Sequence, residues 1–208
     1  MTMRHMKKFL AAAVFCTAFG ASQALAASYG FYFEGAGGIG NMDFESMNAI
    51  DTDVETLGFG FMADTNATGK KALGWRFEAG LESMDIELVD TGSTLDLDGL
   101  AVQAALEIPF KKSGVVRWWF GPLVRLGIYN GDFDGLDGRN VDVYTAGAGA
   151  ALGMNLFPNP SGTFCAAVTV GGRVTGLYAQ HDDAASGETD EGLGWQTTGF
   201  LNIAFLWE

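Results

Sequence analysis

The sequence predicts an all-β fold: an eight-stranded antiparallel up-and-down barrel that crosses a membrane. Three observations predict it. Thirty glycines and 12% aromatic residues favour closely approaching strands over helices. Apolar side chains alternate with polar or small ones in segment after segment, as they do when successive side chains of a strand point to opposite sides. Outside the N-terminus, no apolar run approaches the ~20 residues that a spanning helix needs.

The last stretch of the chain, residues 193–208, shows this alternation most clearly. Every second residue from Trp195 to Trp207 lies on one face, which becomes more apolar along the strand. The other face carries Gln196 and Asn202 among small and apolar groups. A soluble antiparallel sheet hides its apolar face in a core, whereas a membrane barrel turns that face to lipid. Nothing follows that could cover this face, so we expect the strand to close a transmembrane barrel.

Residues 1–27 have the three-part layout of a secretory signal peptide. Arg4, Lys7 and Lys8 precede an apolar run over 9–19, and small residues follow up to Ala26. We expect cleavage after Ala26 or the next alanine, so that the barrel domain is 28–208. The segment holds three basic residues and no acid, so its removal lowers the formal charge from −13 to −16. Such a surface argues against binding nucleic acid or anionic lipid through charge.

Eight segments alternate as strands do, and long acidic connections alternate with short turns between them. We expect the four acidic segments to be extracellular loops, because they contain most of the acids, whereas all four lysines after the signal segment fall in the short turns. Hairpins extended within 41–55 or 84–98 would instead make ten strands. The expected strands are 29–39, 56–63, 73–81, 100–108, 116–128, 143–156, 164–178 and 193–208. The expected acidic loops are 41–53, 82–98, 130–142 and 181–191.

The polar face of these strands predicts a charged lumen. Eight strands enclose a space that side chains can just fill, and a buried charge without a partner costs several kcal/mol, so the charges there must pair. We expect a plug of salt bridges; the alternative is a gated pathway for small ions. The predicted lumen residues are Glu34, Arg76, Glu78, Gln103, Glu107, Arg125, Arg173, Gln196 and Asn202.

Aromatic residues gather near the predicted strand ends, as in the interfacial girdles of membrane barrels. We expect one girdle on the short-turn side and the other on the acidic side. The first comprises Trp75, Trp118, Phe164, Phe205 and Trp207, and the second Tyr129, Tyr144, Tyr178 and Trp195.

With this signal segment, strand pattern and closing strand, the chain resembles the small outer-membrane barrels of the OmpA transmembrane-domain and OmpX type. The resemblance covers residues 28–208. It implies a monomer in the outer membrane of a Gram-negative bacterium, in contact with membrane lipid and without a cofactor. It also implies that the barrel-assembly machinery reads the aromatic end of the last strand, here Trp207 followed by Glu208. We expect no peptidoglycan-binding domain after the barrel.

The sequence contains candidate residues for two further kinds of site, a lipid-modifying active site and a cation site. A lipid-modifying enzyme would need a serine, histidine and acid set facing lipid, but His181 lies in an acidic segment beside Asp182 and Asp183, with Ser186 nearby. A cation site in the segment GDFDGLDGRNVD lacks the aspartate spacing of an EF-hand loop. Its carboxylates are Asp132, Asp134, Asp137 and Asp142. We therefore expect neither an enzyme nor a metal site.

The sequence thus favours a structural or surface-interaction protein whose acidic loops present themselves to an unidentified extracellular ligand. The alternatives are a narrow ion or solute pore and, less favoured, a lipid-modifying enzyme. A soluble periplasmic barrel of lipocalin type would instead have apolar residues inside and charges outside. Cys165 is the sole cysteine after the signal segment, so no disulfide can form within the barrel domain.

Overall fold

A computed structural model describes residues 28–44, 47–68, 71–133, 140–158, 163–182 and 189–208. They form eight strands: β1 (Ser28–Phe44), β2 (Met47–Asp64), β3 (Gly74–Leu88), β4 (Ser93–Ser113), β5 (Val116–Phe133), β6 (Asn140–Leu156), β7 (Phe164–Asp182) and β8 (Thr189–Trp207). The predicted signal peptide lies outside the described residues. Among them, no helix is long and apolar enough to cross a membrane.

Each strand pairs antiparallel with its neighbour in the chain, and β1 pairs with β8, which closes the barrel. The closing ladder runs without a register shift from Tyr29 opposite Trp207 to Phe44 opposite Gly192. The predicted all-β, eight-stranded, up-and-down barrel is therefore confirmed, and the ten-stranded alternative is wrong.

Glycine makes two of the hairpin turns possible. Gly92, between β3 and β4, has φ +65°, and Gly114, between β4 and β5, has φ +55°. These values lie in the left-handed region, which side chains with a Cβ adopt only under strain. Pro122, which has no N–H to donate, lies where the β4–β5 ladder is interrupted, between the pairs Ala105–Leu123 and Ile108–Phe120.

The prediction that the acidic segments are loops is wrong for most of their described residues. Strand β3 continues to Leu88 and β4 begins at Ser93, so only a tight turn interrupts the segment 82–98. The strands likewise extend through 41–44, 47–53, 130–133 and 140–142. The alternation persists there with its sense reversed: exposed acids such as Asp85 alternate with buried apolar residues such as Met84. Continued alternation keeps the extended backbone paired, since each strand still has one face to bury.

The barrel therefore has two halves. In the membrane half, outward side chains are apolar and exposed, for example Phe59, Leu81 and Val124. The acidic half comprises the described residues of 41–56, 83–99, 129–143 and 179–193. An apolar core fills its interior, formed by Met42, Val54, Met84, Ile86, Leu95, Leu97, Tyr129, Val141, Val143, Leu177 and Ala179. We call this the upper core.

A closed barrel whose exposed outer band is apolar has the surface of a transmembrane barrel of outer membranes. The side chains that would form a lipocalin-type ligand interior instead face outward in this band, for example Leu57, Phe61 and Leu126. In the membrane half, then, lipid is the solvent for the outer face and the lumen must satisfy its own polar groups.

Candidate functional site

The lumen of the membrane half is the candidate site, and its end nearest the short turns holds a network of two acids and two arginines. Arg76 lies between two carboxylates, with Nη2 3.0 Å from Asp64 Oδ2 and 3.0 Å from Glu107 Oε1. Arg117 Nη2 approaches the other oxygen of Glu107 at 2.9 Å. All four residues are almost fully buried. This lower network is balanced in formal charge, as burial in low dielectric requires.

Neutral groups complete the lower network. Arg76 donates to Thr169 Oγ1 at 2.8 Å and to Asn155 Oδ1 at 2.9 Å, and its guanidinium carbon lies 4.7 Å from the centre of the Trp119 ring. The indole of Trp119 also donates to Asn155. The hydrogen bonds of Arg76 and its contact with the Trp119 ring together fix the rotamer of its side chain, so the lower network has one defined geometry.

The connection after β2 folds into the barrel and closes that end. Residues 65–68 form a turn whose Thr65, Asn66 and Ala67 are buried. Arg117 donates to the backbone carbonyls of Asn66 and Ala67, and Asn155 donates to that of Ala67 at 3.2 Å. The turn therefore acts as a floor, because side chains from β5 and β6 hold its backbone across the lumen.

A second network lies further up the lumen. Glu34 Oε1 accepts from Arg173 Nη1 at 2.7 Å and lies 3.5 Å from Arg125 Nη1. Arg125 also pairs with Glu82, whose other carboxylate oxygen accepts the hydroxyl hydrogen of Tyr129. The upper network thus has two acids and two arginines, contributed by β1, β3, β5 and β7.

Glu78 is an additional acid between the two networks. No ion pair joins it to an arginine within 4.0 Å in the described part of the chain; the Nε2 of Gln103 donates to its Oε2 at 2.9 Å. Because both networks are already balanced, Glu78 is the acid in excess among the buried lumen charges. Its carboxyl should therefore be replaceable by a neutral group of the same shape.

On the inner face of β8, whole side chains lack a hydrogen bond to the described part of the protein, whereas in the two networks only single atoms of otherwise paired side chains lack one. The unpartnered atoms on β8 include the side-chain oxygens of Gln196 and Thr198 and both side-chain polar atoms of Asn202. The hydroxyl of Thr175, opposite Gln196 on β7, is also unpartnered. Buried polar atoms almost always find partners, and ordered water commonly supplies them.

The structure buries all nine predicted lumen residues, with Glu34, Arg76, Glu107, Arg125 and Arg173 in ion pairs. It also adds Asp64, Glu82 and Arg117, which the sequence prediction missed. Asp64 falls in a predicted short turn and Glu82 in a predicted acidic loop, whereas Arg117 lies inside the predicted strand 116–128 with the same parity as Arg125. Extending the period of two by one step on β2 and β3, and applying it to the whole of β5, finds all three.

The predicted aromatic girdles need one correction. Tyr129 is not a membrane-interface residue: it is 3% exposed and points into the lumen toward Glu82. It follows Ile128, which faces outward, so the alternation sends Tyr129 inward. The other eight aromatics are partly or fully exposed on the outer face. Several make ring contacts there: Tyr144 with Tyr178 at 6.3 Å, and Phe164 with Trp207 at 5.5 Å.

Most residues weighed for a lipid-modifying active site or a cation site have no described side chain. Asp134, Asp137, Asp183 and Ser186 lie outside the described residues, and nothing is described of the side chains of Asp132, His181 and Asp182. Within the described part of the chain, no group of three or more histidines, cysteines or acids is placed to bind a metal ion.

No family model matches the sequence, and no curated protein matches it significantly. Among solved structures, the outer membrane protein OprG from Pseudomonas aeruginosa is 13% identical with a TM-score of 0.49, over 86% of this chain and 95% of that one. Neisserial surface protein A is 12% identical with a TM-score of 0.36, over 83% and 96%.

A third similar structure, the attachment invasion locus protein Ail of Yersinia pestis, is 11% identical with a TM-score of 0.39, over 85% of this chain and 98% of that one. At these identities the likeness extends to the fold alone. The closed ring of eight strands and its apolar outer band, observed in this chain itself, make it a small eight-stranded barrel of the outer membrane.

Proposed function

We propose that this protein is a sealed, monomeric outer-membrane barrel with a structural or surface-interaction role and no enzymatic activity. The observation that carries the proposal is the filling of the lumen at successive levels. The floor at 65–68 and the lower network fill one end, the upper network fills the middle, and the upper core fills the acidic half. A solute would have to displace both charged and apolar layers.

The charged layers are costly to open. Removing one member of a buried ion pair costs about 3–5 kcal/mol, because the partner is left charged in a low-dielectric interior. The ion pairs of the upper network join strands that are not neighbours, such as Glu34 on β1 with Arg125 on β5, so they act as cross-braces. The ion pairs of the lower network join neighbouring strands, and there the hydrogen bond from Arg76 to Thr169 on β7 crosses the lumen. This supports a role in maintaining a rigid, closed wall in the membrane.

The acidic outer face supports the surface-interaction part of the proposal. Asp51, Asp53, Glu55, Asp85 and Asp96 are all exposed on the extended strands. A field of one sign favours oppositely charged partners and repels anionic surfaces. The strands carry these acids on a paired framework, so the charges keep fixed spacings.

Conductance across a planar lipid bilayer tests the seal. We expect purified, refolded protein to insert without discrete conductance steps. Heat-modifiable gel mobility and co-flotation with lipid vesicles would establish that the silent protein is folded and inserted. Discrete steps from folded wild-type protein would contradict the sealed barrel.

A narrow pore is the second candidate, and the unpartnered polar atoms on the inner face of β8 favour it. If wild type conducts, that face is the expected path, and Thr198→Trp should then reduce the single-channel current. Its matched control is Thr197→Trp, which places the same ring on the lipid side of the same strand. Equal currents in the two variants would exclude the β8 path.

A further inference from the structure

The outer face of β2–β6 carries a groove in the upper part of the membrane half. Ala79 faces outward yet is only 5% exposed, because larger neighbours surround it. The cavity measures about 370 Å³ and is almost wholly apolar. That volume falls within the ~300–1,000 Å³ of small-molecule sites. Its walls include Phe59, Phe61, Leu81, Leu100, Val102 and Leu126.

Carboxylates border the groove on the side of the acidic half. Asp98 lies two residues beyond the groove residue Leu100 on the same strand, and faces outward with it. One row further up, Glu55 lies opposite Asp85, and Asp85 lies opposite Asp96. Neighbouring strands are about 4.8 Å apart, so like charges in such a row destabilise each other. A cation placed there would relieve the repulsion.

The carboxylate row has no basic residue on its own strands at this level. Residues 47–56 and 82–99 contain no lysine, arginine or histidine, so no basic side chain of these strands neutralises the row. Tyr144 of β6 forms the far edge of the groove, and beyond it, at the level of Leu100, the outer face carries Tyr178 on β7, with Trp195 nearby on β8. Those aromatics form an ordinary interfacial belt. The apolar groove and the carboxylate row therefore coincide on β2–β4.

We propose that this face binds a cationic amphiphile, with its alkyl chain in the groove and its positively charged head at the Glu55–Asp85–Asp96 row. Charge complementarity selects the head, and the apolar walls at membrane depth select a hydrocarbon chain. An anionic head would meet the carboxylates directly, and a neutral head would leave their repulsion in place. The site is independent of the lumen and of whether the barrel conducts.

Paramagnetic NMR on full-length mature protein in nanodiscs of zwitterionic lipid tests the proposal. The probes are two dodecyl chains carrying a nitroxide at the tail, one with a trimethylammonium head and one with a sulfate head, compared at equal mole fraction in the bilayer. We expect the cationic probe to broaden the methyl signals of Leu81, Leu100 and Val102 at about one-fifth the concentration of the anionic probe or less, the scale of a few exposed charge pairs. The signals of Val168 and Val170, on the opposite side, should not distinguish the probes.

Two sets of variants separate the chain site from the head site. Ala79→Trp should fill the groove and abolish selective broadening, whereas Ala148→Trp, also outward-facing but not a lining residue of the groove, should leave it intact. Asp85→Asn combined with Asp96→Asn should remove the preference for the cationic head without filling the groove. Equal broadening by both probes in wild type, or equal broadening on both sides of the barrel, would overturn the proposal.

Discussion

The two halves of this barrel solve the same packing problem with opposite chemistry. In the membrane half, the outward residues Leu81 and Leu100 meet lipid, while Arg125 and Glu82 pair inside. In the acidic half, the outward residues Asp85 and Asp96 meet water, while Met84 and Leu97 pack inside. The strands run from the membrane half into the acidic half without a break in pairing. The polarity of each face of a β-strand therefore follows the surroundings of that face. Backbone pairing does not depend on which of the two faces is polar.

The boundary between the halves can be located on β3. Along its inner face, Glu78 and Glu82 are followed by Met84 and Ile86, and along its outer face Leu81 is followed by Ser83 and Asp85. The polarity of both faces of β3 reverses within the same few residues. This coincidence is expected if the switch marks the depth at which hydrocarbon gives way to water, since both choices respond to the same surroundings.

The largest expected effect separates a paired acid from the excess acid of the membrane half. Glu82→Gln removes one of the two carboxylates that pair with Arg125 and should lower the free energy of unfolding by about 3–5 kcal/mol. Glu78→Gln removes a charge that no arginine pairs, and keeps a hydrogen-bonding group beside Gln103, so it should cost less than about 1 kcal/mol. Urea unfolding in lipid vesicles, followed by tryptophan fluorescence, measures both. A larger loss for Glu78→Gln than for Glu82→Gln would contradict the charge balance of the two networks.

The next effect tests the reversal of faces with one substitution in each half. Leu97→Ala, in the upper core at 1% exposure, should cost about 3 kcal/mol because it opens a cavity that neighbouring strands cannot fill. Leu126→Ala, at 56% exposure on the lipid face, should change the free energy of unfolding by no more than about 0.5 kcal/mol. Acyl chains occupy the vacated space there, since they are as apolar as leucine. Equal losses at the two sites, measured by the same unfolding assay, would show that the acidic half has no packed interior.

The smallest effect concerns the outer face of the acidic half. Asp85→Asn relieves repulsion with both Glu55 and Asp96 and should stabilise the barrel by about 0.2–1 kcal/mol at low ionic strength. Asp98→Asn is the matched control, because Asp98 lies opposite Ser83 and Asn130 instead of other acids. The difference between the variants should shrink in about 1 M salt, where the screening length falls to about 3 Å. A difference that persists in high salt would point to a cause other than charge.

Sequence reasoning predicted the membrane half well because there the alternation and the polarity agree with the usual pattern of a membrane barrel. In the predicted strands 73–81 and 100–108, apolar residues alternate plainly with polar or small ones. The same reasoning fails above Leu81, where the acids suggest loops although the period of two continues through Met84 and Ile86. Tyr129 is misplaced for a related reason, because its aromatic ring near a strand end suggests the interface while the parity of its position sends it inward.

The partners within the lumen could not be derived from the sequence. Arg76 pairs with Asp64 and Glu107 on the strands next to its own. Arg125 contacts Glu34 and Glu82, which lie on strands that are not its neighbours. The choice between such partners depends on the stagger between strands, which sets the height at which each side chain enters the lumen.

The sequence by itself determined the strand number, the face of each strand that meets lipid and the polar character of the lumen, because each follows from a local period of two and from composition. Only the tertiary structure decided how the lumen is divided into two balanced networks, that residues 65–68 fold inward as a floor, and that the acidic segments continue the barrel around an apolar core. Those features depend on contacts between strands distant in the chain. Closure and register create such contacts, and no local pattern encodes them.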